Sequence, residues 1–512
     1  MTDSAIVLVK LGVALLGAGA LIWRARKTSG ASRLSRRLLL DLGLFSALLW
    51  WNLFTFHSES YVHTWETYHY YVGAKYFREL GYVGLYECTA VADAEAGLAA
   101  AVEKRRIRDL ATNLIGSTAE ILRNPGRCTG RFSPPRWQAF KADVGWFRDQ
   151  MTPTRWAATQ LDHGYNATPA WGLVGGLLAA TGPASTAQIF ALSLLDPLLL
   201  ALMWGVAWWA FGWEGTCVAL IFWGTNYPAR FYWTGGSYLR QDWLALTVVG
   251  LALLRRERPA LAGFALTWAA LLRVFPGLIL AGLALKAVGD LWSGGPFRLR
   301  LAPAHRRLAL GSAAAIALLV PASSLLAGGL GAWTAFAQNS IKHVSTPLTN
   351  NMGLKTLVAY EHASRARLSA PLGLETDPYQ VWKDARRRTF AERRVIFAGL
   401  VTAFVVLLAW AVRNQTDWAA AILGIGLIPV ATELTSYYYA VLLAFGFLRP
   451  KPASVGIGLC VLAAVTCLIP QLTGWHDEIH TAISGAVVVF VIGATIAAGT
   501  SRPTPAAPPA AG

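Results

Sequence analysis

Charged side chains are scarce in this chain. Asp, Glu, Lys and Arg make up 14% of its 512 residues, hydrophobic residues make up 55%, and the mean hydropathy is +0.42. No ordinary soluble domain has that balance, so a water-soluble globular enzyme is excluded and lipid is the solvent for most of the chain. Carboxylates are scarcer than cations, 28 against 45, which leaves a formal net charge of +17. On a soluble protein that excess would raise the question of nucleic acid. Here the cations gather in short loops between apolar runs, as the positive-inside rule and anionic headgroups produce, and no basic, aromatic-interleaved soluble domain exists. No nucleic-acid partner is expected. The five cysteines include no Cys-x-x-Cys and no His/Cys array with zinc spacing. A Gly-rich phosphate loop is missing too, which argues against a nucleotide-binding α/β domain. Residues 1–255 and 256–512 show no internal repeat, the usual sequence mark of a transporter.

What is present is a series of apolar runs separated by polar turns, which reads as an all-α integral membrane protein, a polytopic bundle of about 11 to 13 transmembrane helices. Many of the 22 Trp and 16 Tyr stand near the ends of the runs, as in Trp50-Trp51 and Trp208-Trp209. A first run at 5–23 is followed by Arg24, Arg26, Lys27, Arg33, Arg36 and Arg37 before a second at 38–56. Six cations place that turn in the cytoplasm, so 1–37 reads as an extra N-terminal span with a basic cytoplasmic turn. The polytopic domain then covers 38–499, and the polar stretch 57–167 becomes a large first extracytoplasmic loop. A cleaved signal peptide fits less well, because the charge follows the first run instead of preceding it. The expected location is the cell's inner (plasma) membrane.

Later runs cover roughly 169–182, 187–211, 215–227 and 237–254. The run 260–285 is interrupted by Arg273-Val274-Phe275-Pro276. Proline removes a backbone donor and disfavours helix just before it, so two half-helices that dip in and return are one reading and a single kinked span the other. A second polar loop is expected at 330–392; the re-entrant reading puts it outside. Four or five runs from 394 to 499 precede a Pro/Ala tail, 500–512, expected to be disordered.

Two cysteines, Cys88 and Cys128, share the first polar loop, where they can pair in an oxidising compartment or remain free thiols. Chemistry candidates concentrate behind the second run: Glu59, His63, Glu66, His69 and Tyr70. An acidic residue a few positions beyond a spanning helix faces a lipid-linked substrate at the headgroup plane. In a helix over 64–80, Glu66 and Tyr70 are i,i+4 neighbours, so the tyrosine can orient the carboxylate. Further on, Asp162, His163, Tyr165 and Asn166 stand before the third run, as a polar helix cap or as groups closing over a site. Asp196, inside an apolar run, is an intramembrane acid with a functional or a helix-pairing role.

The stretch Glu66-Thr67-Tyr68-His69-Tyr70-Tyr71-Val72-Gly73-Ala74, continuing to Leu80-Gly81 and Tyr86, resembles the first-loop pattern of the glycosyltransferase C superfamily. It is most similar to the polyprenol-phosphate-mannose-dependent mannosyltransferase-like branch, in which an Asp opens an Asp-x-x-x-Tyr element. Glu66 holds the place of that Asp. Two later segments are similar to the same branch: Leu272-Arg273-Val274-Phe275-Pro276 to its basic-aromatic-Pro break, and Asn350-Asn351-Met352-Gly353-Leu354 to its Asn-rich loop. Together they cover residues 38 to about 450.

The resemblance implies a hexosyltransferase that moves a sugar, mannose being one possibility, from a polyprenyl-phosphate donor to a lipid or glycan acceptor on the extracytoplasmic side. Such inverting transfer needs one carboxylate to take the acceptor proton and cations for the departing phosphate. Glu66 is the expected base, with Glu59 the fallback. Arg273, Arg230, Arg240, Lys342 and His343 are the cation candidates, each also fitting an interfacial anchor. The expected substrate-binding set adds His63, His69, Tyr70, Asp162, His163, Asn350 and Asn351. No cofactor is implied; a divalent ion among Glu59, His63, Glu66 and His69 is compatible with the residues but not called for. A transporter or flippase of a lipid-linked glycan is the alternative, and a non-catalytic scaffold a third reading.

Overall fold

The computed structural model describes residues 3–26, 33–57, 60–293, 301–369, 377–448 and 453–501. Glu59, Lys27 and nearly all of the Pro/Ala tail therefore lie outside the described residues. The protein is an all-α polytopic membrane protein, and two short antiparallel strand pairs are the sheet structure among the described residues. Among the described residues six helices are long and apolar enough to cross a bilayer: Asp3–Arg26, Thr186–Thr225, Pro303–Ala327, Gln380–Val412, Ala453–Leu472 and His476–Thr500. Their outward faces carry exposed Leu, Ile and Val, as a lipid solvent allows. Shorter apolar helices at Pro169–Ala179, Pro259–Arg273, Asp417–Ala431 and Ser436–Leu448 fill the interior.

The two runs expected as separate spans, 187–211 and 215–227, are two helices that fold back on each other at Gly212, whose φ of 74° favours glycine; Trp204 and Trp223, one on each, lie with ring centroids 5.5 Å apart. One end of the bundle gathers the basic turns: Arg24 pairs with Glu214 at 3.0 Å, and Arg256 donates to the Trp209 carbonyl. From that end Asp242–Arg255 and Pro259–Arg273 run to the other, and Arg240 and Arg273 stand at their far tips. Fourteen and fifteen residues span about 21 and 23 Å, short of a hydrocarbon thickness of about 30 Å.

The break after Arg273 is sharp. Val274 has φ 61°, a short 3-10 turn covers Phe275–Gly277, and the chain returns as Leu278–Ser293. Two half-helices, and not one kinked span, are what Pro276 produces here. Close packing fixes the first of them. A side chain on Gly263 or Gly311 would lie about 2 Å from the Leu308 or Ala260 carbonyl oxygen, so only glycine lets Pro259–Arg273 and Pro303–Ala327 touch backbone to backbone.

The stretch 57–167 is a folded unit, not a loose loop. Thr64–Lys75 carries Glu66 and Tyr70 and packs against Pro134–Asp149 through Tyr68, Tyr71, Tyr76, Phe140 and Phe147. Buried Asp93 is met by Arg105 at 2.6 Å, Arg148 at 3.2 Å and the Trp156 indole at 2.7 Å, so its charge is fully compensated. Cys88 and Cys128 are joined, with Cα atoms 5.2 Å apart and a sequence separation of 40. Closing a loop of that length stabilises by about 4 kcal/mol on the chain-entropy account.

The second polar stretch differs from expectation. Gly331–Val344 is helical, and the cations of 386–394 sit on the continuous helix Gln380–Val412 instead of in a loop. Buried Arg386 donates to the Thr356 carbonyl, which explains how a cation survives there. Both polar stretches pack together at the same end of the bundle: Arg108 pairs with Asp377 at 3.3 Å, and Asn113 donates to Thr346 at 3.1 Å.

Candidate functional site

Between those two stretches and the helix tips lies a cavity of about 1900 Å³, well above the few hundred to 1000 Å³ of an ordinary small-molecule pocket. Glu66, Arg240 and Arg273 line it. Its wall includes polar and aromatic side chains, among them His57, His63, Trp65, Arg155, Tyr232 and Trp233, and apolar ones, Val274, Leu278, Phe336, Val344, Phe390 and Phe397, of which Val274 and Val344 are exposed.

Glu66 sits in the first turn of Thr64–Lys75, where the helix dipole favours a carboxylate. Its backbone N–H donates to His63 Nδ1, so His63 caps the helix. A ring that accepts at Nδ1 is neutral there, and burial together with His57, 4.3 Å away, keeps His63 well below the usual imidazole range. Glu66 Oε1 lies 2.7 Å from Arg240 Nη2. The expected Tyr70–Glu66 bond is absent, because the Tyr70 hydroxyl donates to Asn166 Oδ1 at 2.9 Å. Tyr70 instead offers its ring face: Arg240 lies 4.0 Å and Arg273 5.6 Å from the centroid, so the π-face attracts both cations.

These two guanidiniums are incompletely satisfied. Arg240 Nη2 also reaches Tyr437 Oη at 3.4 Å, but its Nε and Nη1 are buried without a hydrogen-bond partner. Arg273 Nη1 donates to the Leu272 carbonyl, whereas Nε and Nη2 have no partner. That pair of nitrogens forms the edge of a guanidinium that grips two oxygens of a carboxylate or phosphate at once. A buried donor left unpaired costs about 1–3 kcal/mol, more when charged. The arrangement can bind an anion beside a carboxylate.

The remaining candidates divide. Asp162 lines the cavity and accepts from the Trp65 indole at 2.7 Å, so it orients an aromatic platform. His69 shares a 2.7 Å hydrogen bond with Tyr86 and also faces the cavity. Asn350 and Asn351 line it as well, and Asn351 and Met352 pair with Leu434 and Thr435, tying the Asn loop to Glu433. Arg230 and Lys342 are not on the cavity wall. Arg230 stacks on Tyr227 and Tyr232, and Lys342 donates to the Leu110 carbonyl, so each has a local structural partner. His343 reaches the wall, 5.7 Å from His163. Burial, with Lys342 beside it, lowers His343 to about 4; burial and Arg108 lower His163 to about 3. Both rings are held neutral, which takes His343 out of the cation candidates, although its Nε2 is buried without a partner. Among the described residues no three His, Cys, Asp or Glu side chains come together as metal ligands.

Sequence reasoning missed Trp65, Lys355, which pairs at 2.8 Å with Glu433, a carboxylate visible in the sequence beside Tyr437, Tyr438 and Tyr439, and the group Arg108, Asp377 and Lys383. The last is joined across 269 residues, for which no local pattern exists.

The neutral histidines carry a pH consequence. A folded-state value below the unfolded one, near 6.5, means that stability is complete above pH 6.5 and is lost as pH falls toward 3–4. The slope is at most about 1.4 kcal/mol per pH unit for each ring. His163→Gln is expected to lose less melting temperature than the wild type between pH 7 and pH 5; equal losses would contradict a neutral His163.

No family model, no characterised protein and no solved structure matches this chain.

Proposed function

We propose that the protein is a membrane glycosyltransferase that moves a sugar from a polyprenyl-phosphate donor to an acceptor hydroxyl with inversion. The observation that carries the reading is the pair Arg240 and Arg273, whose partnerless buried donors share with Glu66 a cavity that also has apolar side chains in its wall. In this reading the donor's phosphate takes the open edge of Arg273 and a free N–H of Arg240, while its isoprenoid chain lies along Val274, Leu278 and Phe397 toward lipid. The acceptor enters past Trp65, Tyr232 and Trp233, whose ring faces suit a sugar.

Glu66 then accepts the proton of the acceptor hydroxyl. The acceptor oxygen bonds to the anomeric carbon from one face as the bond from that carbon to the phosphate oxygen breaks on the other. The electron pair leaves with the phosphate, where the arginines stabilise the growing charge. Arg240, bonded to Glu66, fixes the carboxylate relative to the leaving group. In this reading, supported by the positive-inside pattern of the turn at 24–37, this end of the bundle faces the outside of the cell's inner membrane.

Farnesyl phosphate is a short, soluble probe of the reading. It is expected to raise the melting temperature of the detergent-solubilised protein in proportion to ligand occupancy, whereas farnesol at the same concentration is not. Equal shifts from both would leave only a greasy cavity. The cavity's size is the one observation that favours the alternative of a lipid-linked glycan transporter, since 1900 Å³ accommodates a whole headgroup.

A further inference from the structure

Arg240 is nearly fully buried, and its guanidinium must be aimed at Glu66 from a backbone turn that has little intrinsic regularity. The turn holds Leu239 at φ 50°, a conformation a branched side chain rarely adopts, so something outside it must supply the order. Three contacts do. The Trp171 indole donates to the Leu239 carbonyl at 2.9 Å. Gly236, at φ 75°, packs so close to the Tyr61 carbonyl that a side chain would lie 1.8 Å from its oxygen. Most directly, Asp196 receives the Arg240 N–H on both carboxylate oxygens at 3.0 Å and the Gln241 N–H at 3.1 Å.

Asp196 comes from the first turn of a different helix, Leu195–Thr225, and is 3% exposed. Burying a carboxylate at that depth is costly, and the amides that compensate it belong to Arg240 and its neighbour. Those amides open the helix Asp242–Arg255, so its dipole adds to the attraction. A hydrophobic residue with a conventional cap would stabilise the helix start at lower cost. The carboxylate does something a side-chain cap within the turn does not: it fixes the Arg240 Cα from a second helix.

We propose that Asp196 is the positioning residue for Arg240, setting where that guanidinium meets Glu66 and the incoming anion. The proposal rests on the reading of Arg240 and Arg273 as the phosphate site. It makes a demand a merely structural residue does not meet: the effect of losing Asp196 must pass through Arg240 and not through Arg273, which is carried on the separate half-helix Pro259–Arg273.

Binding of farnesyl phosphate to purified full-length protein, by calorimetry, tests it with Asp196→Asn, which keeps shape and removes charge. Asp196→Asn is expected to weaken binding by about tenfold, the loss of one charged contact. Combined with Arg240→Ala it should add nothing further, whereas combined with Arg273→Ala the losses should multiply. Asp196→Glu, which restores the charge, should recover part of the affinity. Unchanged binding by Asp196→Asn, or multiplication with Arg240→Ala as well, would overturn the proposal while leaving the phosphate site intact. A general loss of folding would appear as multiplication in both cycles and count against it equally. Failure of the wild type to bind farnesyl phosphate would remove the phosphate site itself and this inference with it.

Discussion

Glu66→Gln is expected to lower sugar transfer by a factor of about 10² to 10⁴ while leaving donor binding in place. The substitution keeps the size of the side chain and an oxygen for Arg240 Nη2, which is 2.7 Å from the carboxylate, and removes the proton acceptor together with its charge. Steady-state transfer and farnesyl phosphate binding, measured on the same preparation, separate the two effects. Glu59→Gln and Asp162→Asn are the matched controls. Asp162 lies on the same cavity wall but has its carboxylate committed to the Trp65 indole and the His163 amide. Near-normal transfer by Glu66→Gln together with loss in either control would move the base to the other carboxylate.

Arg273→Ala and Arg240→Ala are each expected to weaken polyprenyl-phosphate binding by about 10² or more, because a desolvated guanidinium–phosphate contact is worth roughly 2–5 kcal/mol. The two should differ in a second respect. Arg273 offers its free Nε and Nη2 as a bidentate edge, so Arg273→Lys should recover little. Arg240 also holds Glu66, so Arg240→Ala should lower turnover beyond its effect on binding. Calorimetry and single-turnover rates measure the pair. If Arg273→Ala binds donor as the wild type does, that residue is only an anchor at the helix break.

The site was legible where its chemistry is local. Proline at 276 forces a break whatever surrounds it, so the arginine three residues earlier could be placed at a helix tip from the sequence. Two cysteines in one polar stretch pointed to each other in the same way, and they are bonded. A carboxylate just behind a span and an Arg beside a Pro break were therefore both visible, though not their distance. What pairs with what was not legible. Tyr70 was expected to orient the residue four positions before it and is bonded to Asn166, 96 residues away. Arg240 was one of five candidate cations, with Arg273 at the Pro break the favoured one, until the Asp196 and Glu66 contacts, 44 and 174 positions off in sequence, separated it from Arg230 and Lys342. The second polar stretch misled because its Arg-rich sequence resembles a loop, while burial against Thr356 and the length of Gln380–Val412 keep it helical. Periodicity reports faces of a helix, and burial of a charge by a distant partner leaves no trace in it.

The central claim, that an anion-binding pair and a carboxylate in this cavity break a lipid-phosphate–sugar bond, is tested most directly by following the donor. Purified protein in nanodiscs is incubated with polyprenyl-phosphate mannose and a panel of simple glycoside and glycolipid acceptors, and the lipid products are read by mass spectrometry. The account predicts acceptor-dependent release of free polyprenyl phosphate with a matching gain of one hexose on an acceptor, both lost in Glu66→Gln. Binding of the donor without release under every acceptor, together with its movement between leaflets in sealed vesicles and no effect of Glu66→Gln, would contradict it in favour of a transporter.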